Sequence, residues 1–462
     1  MNTSTATLQN LRTRQTNFYK KHKNQGISVR IQHLKKLNRV LETREKDIFE
    51  ALYKDLKKPA FESLTSETIF VQKEISTQIK NLKYWSLARP VKSSWINFPS
   101  RDYLLPEPYG NILMISPWNY PFQLAMTPMV GAVAAGNTVV LKPSEAAPHT
   151  AQIIKEICTE VFPEDWVAVV EGEVETASAL LKMPWDYIFF TGSTSVGRIV
   201  ARAAAEHLTP VTLELGGKSP CIVDASAPIK TTAKRIVWGK FLNCGQTCIA
   251  PDYLLVEKSI KPALTEALIE EIKKAFGADS QQSEDYGRII HSKHFNKLID
   301  SLKDQKVLFG GNHTAENLFI APTLVDQPPL DSPLMREEIF GPILPILVYE
   351  KESEIAEIVN SLDKPLSFYV FSKRKKFIDS LLKTYSYGGA VVNDTLVHFG
   401  NDHLPFGGIG SSGMGAYHGR HSFELFTHLK PIVKRSFWFD LPQRYAPYPK
   451  SLALLKILLK RL

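Results

Sequence analysis

Between residues 104 and 215, short apolar runs alternate with stretches of helical periodicity, and no other feature narrows the choice of fold as far. The runs are NILMI (111–115), NTVVL (137–141), WVAVVEG (166–172), WDYIFF (185–190) and PVTLEL (210–215). Between them lie PFQLAMTPMVGAVAAG, APHTAQIIKEICTEV, a short EVETASALLK and SVGRIVARAAAEHL. Strands alternating with helices imply an open parallel sheet covered on both faces, an α/β architecture suited to binding a nucleotide. A second α/β series follows from residue 216, with CIVD, YLLVE, APTLVD, ILPILVYE, SFYVFS and GAVVND as its apolar runs. Two segments fit neither series: SLARPVKSSWINFPSRDYLL (86–105) and the glycine-rich region after about residue 395. They read as an extended arm and a tail.

A chain of 462 residues has room for two or three well-buried domains. Four cysteines (Cys158, Cys221, Cys244, Cys248) are too few for a disulfide framework in so long a chain, which points to a reducing, cytoplasmic setting. The net charge of +9 is spread among acids and apolar positions at helical spacing, so it reads as solvated faces and not as a nucleic-acid site. The first acidic residue is Glu42, which gives the N-terminus a superficial likeness to a presequence, yet VRIQHLKKLNRVLETREKDIFEALYKDL has the period of helices that belong to the fold. In the tail SLALLKILLKRL, six leucines (452, 454, 455, 458, 459, 462) share one helical face opposite Lys456 and Lys460. That segment is too short to span a bilayer. It could lie on one as a peripheral contact, cover a substrate entrance or pack on the fold.

Five motifs carry chemistry. TGSTSVGRI places Gly192 and Gly197 at P-loop spacing, but Arg198 and Ile199 stand where a P-loop needs Lys and Ser/Thr, so a nucleotide triphosphatase is disfavoured. What remains is a helix N-terminus at Ser193, suited to a pyrophosphate or simply a tight turn. In VVLKPSE, Lys142 and Glu145 follow the carboxyl end of a strand, as a pair for ribose hydroxyls or as a surface ion pair. ISPWNYP sets Asn119 on an irregular turn between prolines, where a fixed side-chain amide can donate to an oxyanion. TLELGGKSP puts Glu214 near the end of an apolar strand, where desolvation would raise its pKa and suit a general base; an ion-paired strand-end glutamate is the alternative. FLNCGQTCIAP holds two cysteines four apart. No histidine has ligand spacing beside them, which argues against a metal site. The helical run IKTTAKRIVWGKFLN is expected to end near Gly245, leaving Cys244 at the helix end and Cys248 in the loop beyond as the better nucleophile.

Together SPWNYP, AAGNTVVLKPSE, FTGSTSVG, LELGGKSP, NCGQTC, YGRII, EEIFGP and LPFGGIGSSGMGAYHGRHSFELFTH resemble the aldehyde dehydrogenase superfamily over nearly the whole chain. SPWNYP and GMGAYHGRHSFELFTH point to its class 3 branch. The resemblance implies a Rossmann-like cofactor domain (1–85 and 104–213), a catalytic domain (214–395) and a bridging, oligomerising arm with tail (86–103 and 396–462). It implies NAD or NADP as cofactor, a homodimer, and medium- or long-chain aliphatic or aromatic aldehydes as substrates. Cys248 would be the nucleophile, Glu214 the general base and Asn119 the oxyanion donor. Cofactor contacts would fall to Trp118, Lys142, Glu145, Gly192, Ser193, Gly197, Leu215, Gly216, Glu338 and Phe340. Glu145 near the adenosine ribose should repel a 2′-phosphate, although class 3 relatives often accept both cofactors. Transfer of the acyl group to coenzyme A, or a non-catalytic protein on the same fold, are the competing functions; the presence of Glu214 argues against the first and the intact Cys248, Glu214 and Asn119 against the second.

Overall fold

The structure is a computed structural model that describes residues 4–23, 26–94, 97–440, 442–448, 452, 453 and 456. The apolar face expected over Leu454, Leu455, Leu458, Leu459 and Leu462 lies outside these residues. Among the described residues no helix is long and apolar enough to cross a membrane. The chain divides into a larger unit, residues 1–85 and 108–428, and a smaller one, residues 86–107 and 429–462.

The larger unit holds two large sheets and a two-stranded one, in which His313–Thr314 pairs with Phe319–Ile320. The first is built from β1 (Asn111–Ile115), β2 (Thr138–Lys142), β3 (Val167–Val169), β4 (Tyr187–Thr191) and β5 (Val211–Glu214), all parallel. The two-residue strand Gly413–Met414 adds antiparallel to β5. The order Gly413–Met414, β5, β4, β1, β2, β3 places β1 between β2 and β4. The chain winds outward from β1 to β3 and then starts again on the other side of β1 with β4. Crevices for ligands open at such a reversal, at the carboxyl ends of the strands. Every residue of β2 and β4 is buried, which is why these strands are apolar throughout instead of alternating. The helix Gln123–Ala135 is likewise buried on all sides and ends at Gly136, whose φ of 104° is the left-handed cap that glycine supplies without strain.

The second sheet comprises β6 (Pro220–Val223), β7 (Tyr253–Glu257), β8 (Val307–Phe309), β9 (Thr323–Asp326), β10 (Ile343–Tyr349), β11 (Ser367–Phe371) and β12 (Gly389–Val392), in the order β8, β9, β10, β7, β6, β11, β12. Only the edge strand β8 runs antiparallel to its neighbour. Each apolar run read from the sequence over 104–215 contains one strand of the first sheet or most of one. Residues 396–428 group with the larger unit, where Gly413–Met414 extends the first sheet and the helix Arg420–Leu425 meets Gln123–Ala135.

The smaller unit contains all but the end residues of a three-stranded sheet formed by Arg89–Val91, Ser100–Pro108 and Thr427–Arg435. Phe98, Phe437 and Trp438 are exposed on it.

Candidate active site

β1 stops where Pro117 removes the next backbone donor, and the chain turns through Trp118 and Asn119 before the helix Gln123–Ala135 begins. Asn119 is buried. Its Nδ2 donates to the Gln246 carbonyl at 3.0 Å, and its own carbonyl accepts from Asn243 Nδ2 at 2.7 Å. A carboxamide nitrogen carries two N–H bonds, so one is still available to a ligand.

β5 ends on Glu214, which is 3% exposed and has no hydrogen-bond partner on either carboxylate oxygen. Burial pushes its carboxyl well above the usual carboxylate range, toward the values that suit a general base. β4, the neighbour of β5, ends on Thr191, whose hydroxyl is also buried without a partner. Gly192 and Ser193 follow, and Ser193 caps the twelve-residue helix Thr194–Ala205 by accepting from the Val196 N–H at 3.4 Å.

The segment 337–340 closes over this edge. Lys218, ion-paired with Asp252, donates to the carbonyls of Leu334 at 2.7 Å and Glu337 at 2.9 Å, and Asp252 accepts from the Ile339 N–H at 3.1 Å. Phe340 has a φ of 53°, a left-handed conformation that a bulky residue adopts only when its surroundings impose it. His294 Nε2 donates to its carbonyl at 2.8 Å, and Trp118 packs edge-on against its ring at 5.3 Å. Burial lowers the pKa of His294 to about 4, so the imidazole donates as the neutral Nε2–H tautomer. Burial, ahead of repulsion from Asp252, raises Glu338 to about 8, while the Gly217 N–H favours its anion. A Cβ on Gly216 would lie 2.0 Å from Glu338 Oε2, so the carboxylate rests where only a glycine leaves room.

The helix expected to end near Gly245 stops at Phe241. Asn243, Cys244 and Gly245 then take φ values of 51°, 52° and 72°, a run of three left-handed residues. Side-chain amides replace the helical hydrogen bonds here: Gln246 Nε2 donates to the carbonyls of Asn243 at 3.1 Å and Arg288 at 3.0 Å, and its Oε1 accepts from the Ile290 N–H at 3.1 Å. The turn buries Cys244 and leaves Cys248 half-buried. Burial raises the Cys248 thiol above its ordinary value, with Glu338 and Glu214 adding to the effect, while the backbone N–H groups of Cys248 and Ile249 favour the thiolate.

One cavity of about 890 Å³ gathers Trp118, Asn119, Gly192, Ser193, Glu214, Leu215, Gly216, Cys248, Glu338 and Phe340 in its wall. Three residues expected at the cofactor do not line it. Lys142 is buried at the end of β2 in an ion pair with the exposed Glu145, and Gly197 sits beneath Leu215, where a Cβ would come within 2.6 Å of Leu215 Cδ2. Phe70, Trp238, Leu396, Phe399, Phe406 and Tyr417 add an apolar lining. The partnerless Thr191 hydroxyl, the helix N-terminus at Ser193 and the carboxylate seated over Gly216 fit a dinucleotide laid across the ends of β4 and β5. Sequence reasoning did not single out His294, Lys218 or Asp252. Lys218 stood inside LELGGKSP, but its partner lies 34 residues away.

The sequence profile of the aldehyde dehydrogenase family matches residues 7–432. The chain belongs to that family. It is 44% identical over 445 residues to 4,4'-diaponeurosporen-aldehyde dehydrogenase of Staphylococcus aureus, covering 96% of this chain and 97% of that protein. It is 42% identical over 427 residues to the dimeric NADP-preferring aldehyde dehydrogenase of the dog, covering 92% and 94%. The solved substrate-bound state of Staphylococcus aureus AldH superposes with a TM-score of 0.95 at 43% identity, covering 98% of this chain and 99% of that one. This aldehyde dehydrogenase is an oxidoreductase that oxidises aldehydes with NAD(P).

Proposed function

We propose that Cys248 is the nucleophile, Asn119 the oxyanion donor and Glu214 the general base of aldehyde oxidation in this chain. The observation that carries the reading is that these three groups, drawn from three separate segments, line one cavity while both Glu214 oxygens are without a partner. Once its proton has left to solvent, the Cys248 thiolate adds to the aldehyde carbon, and the carbonyl oxygen becomes an oxyanion held by the free Asn119 N–H and the Cys248 backbone N–H. When bound, NAD(P) accepts hydride from the same carbon, which leaves a thioester on Cys248. Glu214 takes a proton from water, the hydroxyl adds to the thioester, and Cys248 leaves as the acid forms. The Trp118, His294 and Phe340 cluster and the Lys218-held segment 337–340 keep this side of the cavity in shape, and Glu338 would hold the nicotinamide ribose of a bound cofactor.

The apolar lining supports long or aromatic aldehydes as substrates, in keeping with a relative named for a long polyene aldehyde. The exposed aromatics of the smaller unit, and a relative named as dimeric, support a homodimer formed through that arm. We assign cofactor binding to residues 1–85 and 104–213 and catalysis to residues 214–395.

The test is Glu214→Gln. Rapid mixing with NAD and aldehyde should give a burst of NADH approaching one per active site, then a steady rate lowered about 10²-fold or more, the scale for a general base. Mass spectrometry should find the acyl group on Cys248. Normal steady turnover would remove Glu214 from the reaction and revive acyl transfer to coenzyme A.

A further inference from the structure

Behind the catalytic turn lies a cluster that the reaction as written does not use. Lys58 and Glu67 form an ion pair in which both side chains are fully buried. Lys58 Nζ also donates to the Asn119 carbonyl at 3.2 Å. Glu67 Oε2 accepts from the backbone N–H groups of Phe122 at 3.1 Å and Gln123 at 2.8 Å, capping a helix whose own N-cap residue supplies no side-chain bond. Glu62, also buried, accepts from the Asn243 backbone N–H, and burial raises it to about 7 against the opposing pull of Lys58.

Two features indicate that the cluster is there for placement. In an α-helix, residues five apart sit about 140° apart around the axis. Residues Leu64–Thr68 instead form a π turn with an i to i+5 hydrogen bond, and both Glu62 and Glu67 interact with Lys58. Such turns concentrate at functional positions. Moreover, a fully buried ion pair adds little stability beyond what an apolar replacement would give, so registry is the use best supported for one. The bonds here converge on Asn119 and on Asn243, the two residues that tie the β1 turn to the cysteine turn.

We propose that Lys58, with Glu67 and Glu62, is a buried brace that sets Asn119 against the 243–246 turn, making Lys58 and Glu67 positioning residues for the oxyanion donor; this rests on the role given to Asn119 above. Lys58 touches no reacting atom, so its effect must pass through Asn119.

The experiment is a double-mutant cycle of Lys58→Met and Asn119→Ala in the full chain, read as the single-turnover rate of NADH formation per titratable active-site thiol. Asn119→Ala should slow this step about 10²-fold or more, the usual loss for an oxyanion donor. Lys58→Met should slow it about 10- to 100-fold, as a small misplacement does, with KM for NAD(P) unchanged. In the Asn119→Ala background, Lys58→Met should cost less than about threefold, because coupled residues are not additive. If Lys58→Met fails to fold, Lys58→Met/Glu67→Gln removes the cation and the carboxylate together and takes its place in the cycle. An equal cost in both backgrounds overturns the brace while leaving the oxyanion role of Asn119 standing. An unaltered rate in Asn119→Ala overturns that role, and the brace with it.

Discussion

At the edge formed by β4 and β5 the backbone is ordinary, whereas in the turn from Leu242 to Cys248 it is forced. Ser193 has a φ of −74° and simply starts a helix. The atoms nearest to a Cβ added at Gly216 belong to the far end of the Glu338 side chain. In the turn, by contrast, three successive residues are left-handed and two of them are not glycine, at a cost on the order of 1–2 kcal/mol each. There a Cβ on Gly245 would lie 2.3 Å from the Gly341 carbonyl oxygen, which is backbone and cannot step aside. The first region is what any doubly wound sheet offers a dinucleotide at its reversal point. The second is a local departure held by Asn243, Gln246 and Asn119, and its result is that one cysteine of the pair is buried and the other faces the cavity.

The sharpest way to break this contrast is to exchange the sulfur at each end of the turn. Cys248→Ser should lower turnover of every aldehyde by roughly 10⁴-fold or more, the scale for removing a catalytic nucleophile. Cys244→Ser should keep most of the activity, since that thiol is buried, with any loss appearing as stability. Steady-state kinetics on both variants settle the matter: a dead Cys244 variant beside an active Cys248 variant would reverse the assignment.

A smaller effect separates the two glycines. Gly245→Ala forces a left-handed alanine against a carbonyl and should destabilise the chain by about 2 kcal/mol or more, with activity falling in parallel. Gly216→Ala should leave the denaturation midpoint nearly unchanged and raise KM for NAD(P) several-fold, because Glu338 must swing out of place. Equal loss of stability in both would mean that the β5 edge is as tightly determined as the turn.

The extent to which these regions could be read in the sequence follows the same division. β2 and β4 were legible because a strand buried on both faces must be apolar along its length, and Glu214 because two glycines follow it at a strand end. The order of the strands is what turns those motifs into one crevice. The turn was not legible: FLNCGQ continues a helical pattern, and only hydrogen bonds to Asn119, Arg288 and Ile290, between 42 and 127 residues away, make the left-handed run tolerable. Lys58, Glu62 and Glu67 stand in LKKPAFESLTSET, which has the composition of a solvated helix start. Their burial depends on segments more than 50 residues away. Lys142 and Glu145 were legible as a pair at the end of β2 yet lie outside the cavity wall, since wall membership depends on side-chain direction and not on strand register.

The smallest expected effect concerns the energetic cost of keeping Glu214 where it is. Its carboxyl is buried without a partner, and burial alone holds its pKa far above the value near 4.3 that it has in an unfolded chain. Between those two values the folded protein keeps a proton that the unfolded chain releases. Stability from this group is therefore complete below about pH 4 and falls as the pH rises toward the folded pKa, by up to about 1.4 kcal/mol per pH unit. Gln at position 214 keeps the size of the side chain and has no proton to lose, so its contribution should not vary with pH. Glu338 and Glu62, whose pKa values are also raised, are present in both proteins and cancel in the difference. The Tm of Glu214→Gln minus that of the unaltered protein should accordingly be smallest near pH 4 and grow by about 1 °C or more per unit as the pH rises toward the folded pKa. Differential scanning at matched heating rates would show it. A flat difference would mean that Glu214 is already ionised in the folded chain, so that water activation needs no loss of a proton from it, and the left-handed backbone of the turn and of Phe340 would then carry the stability that the site costs the fold.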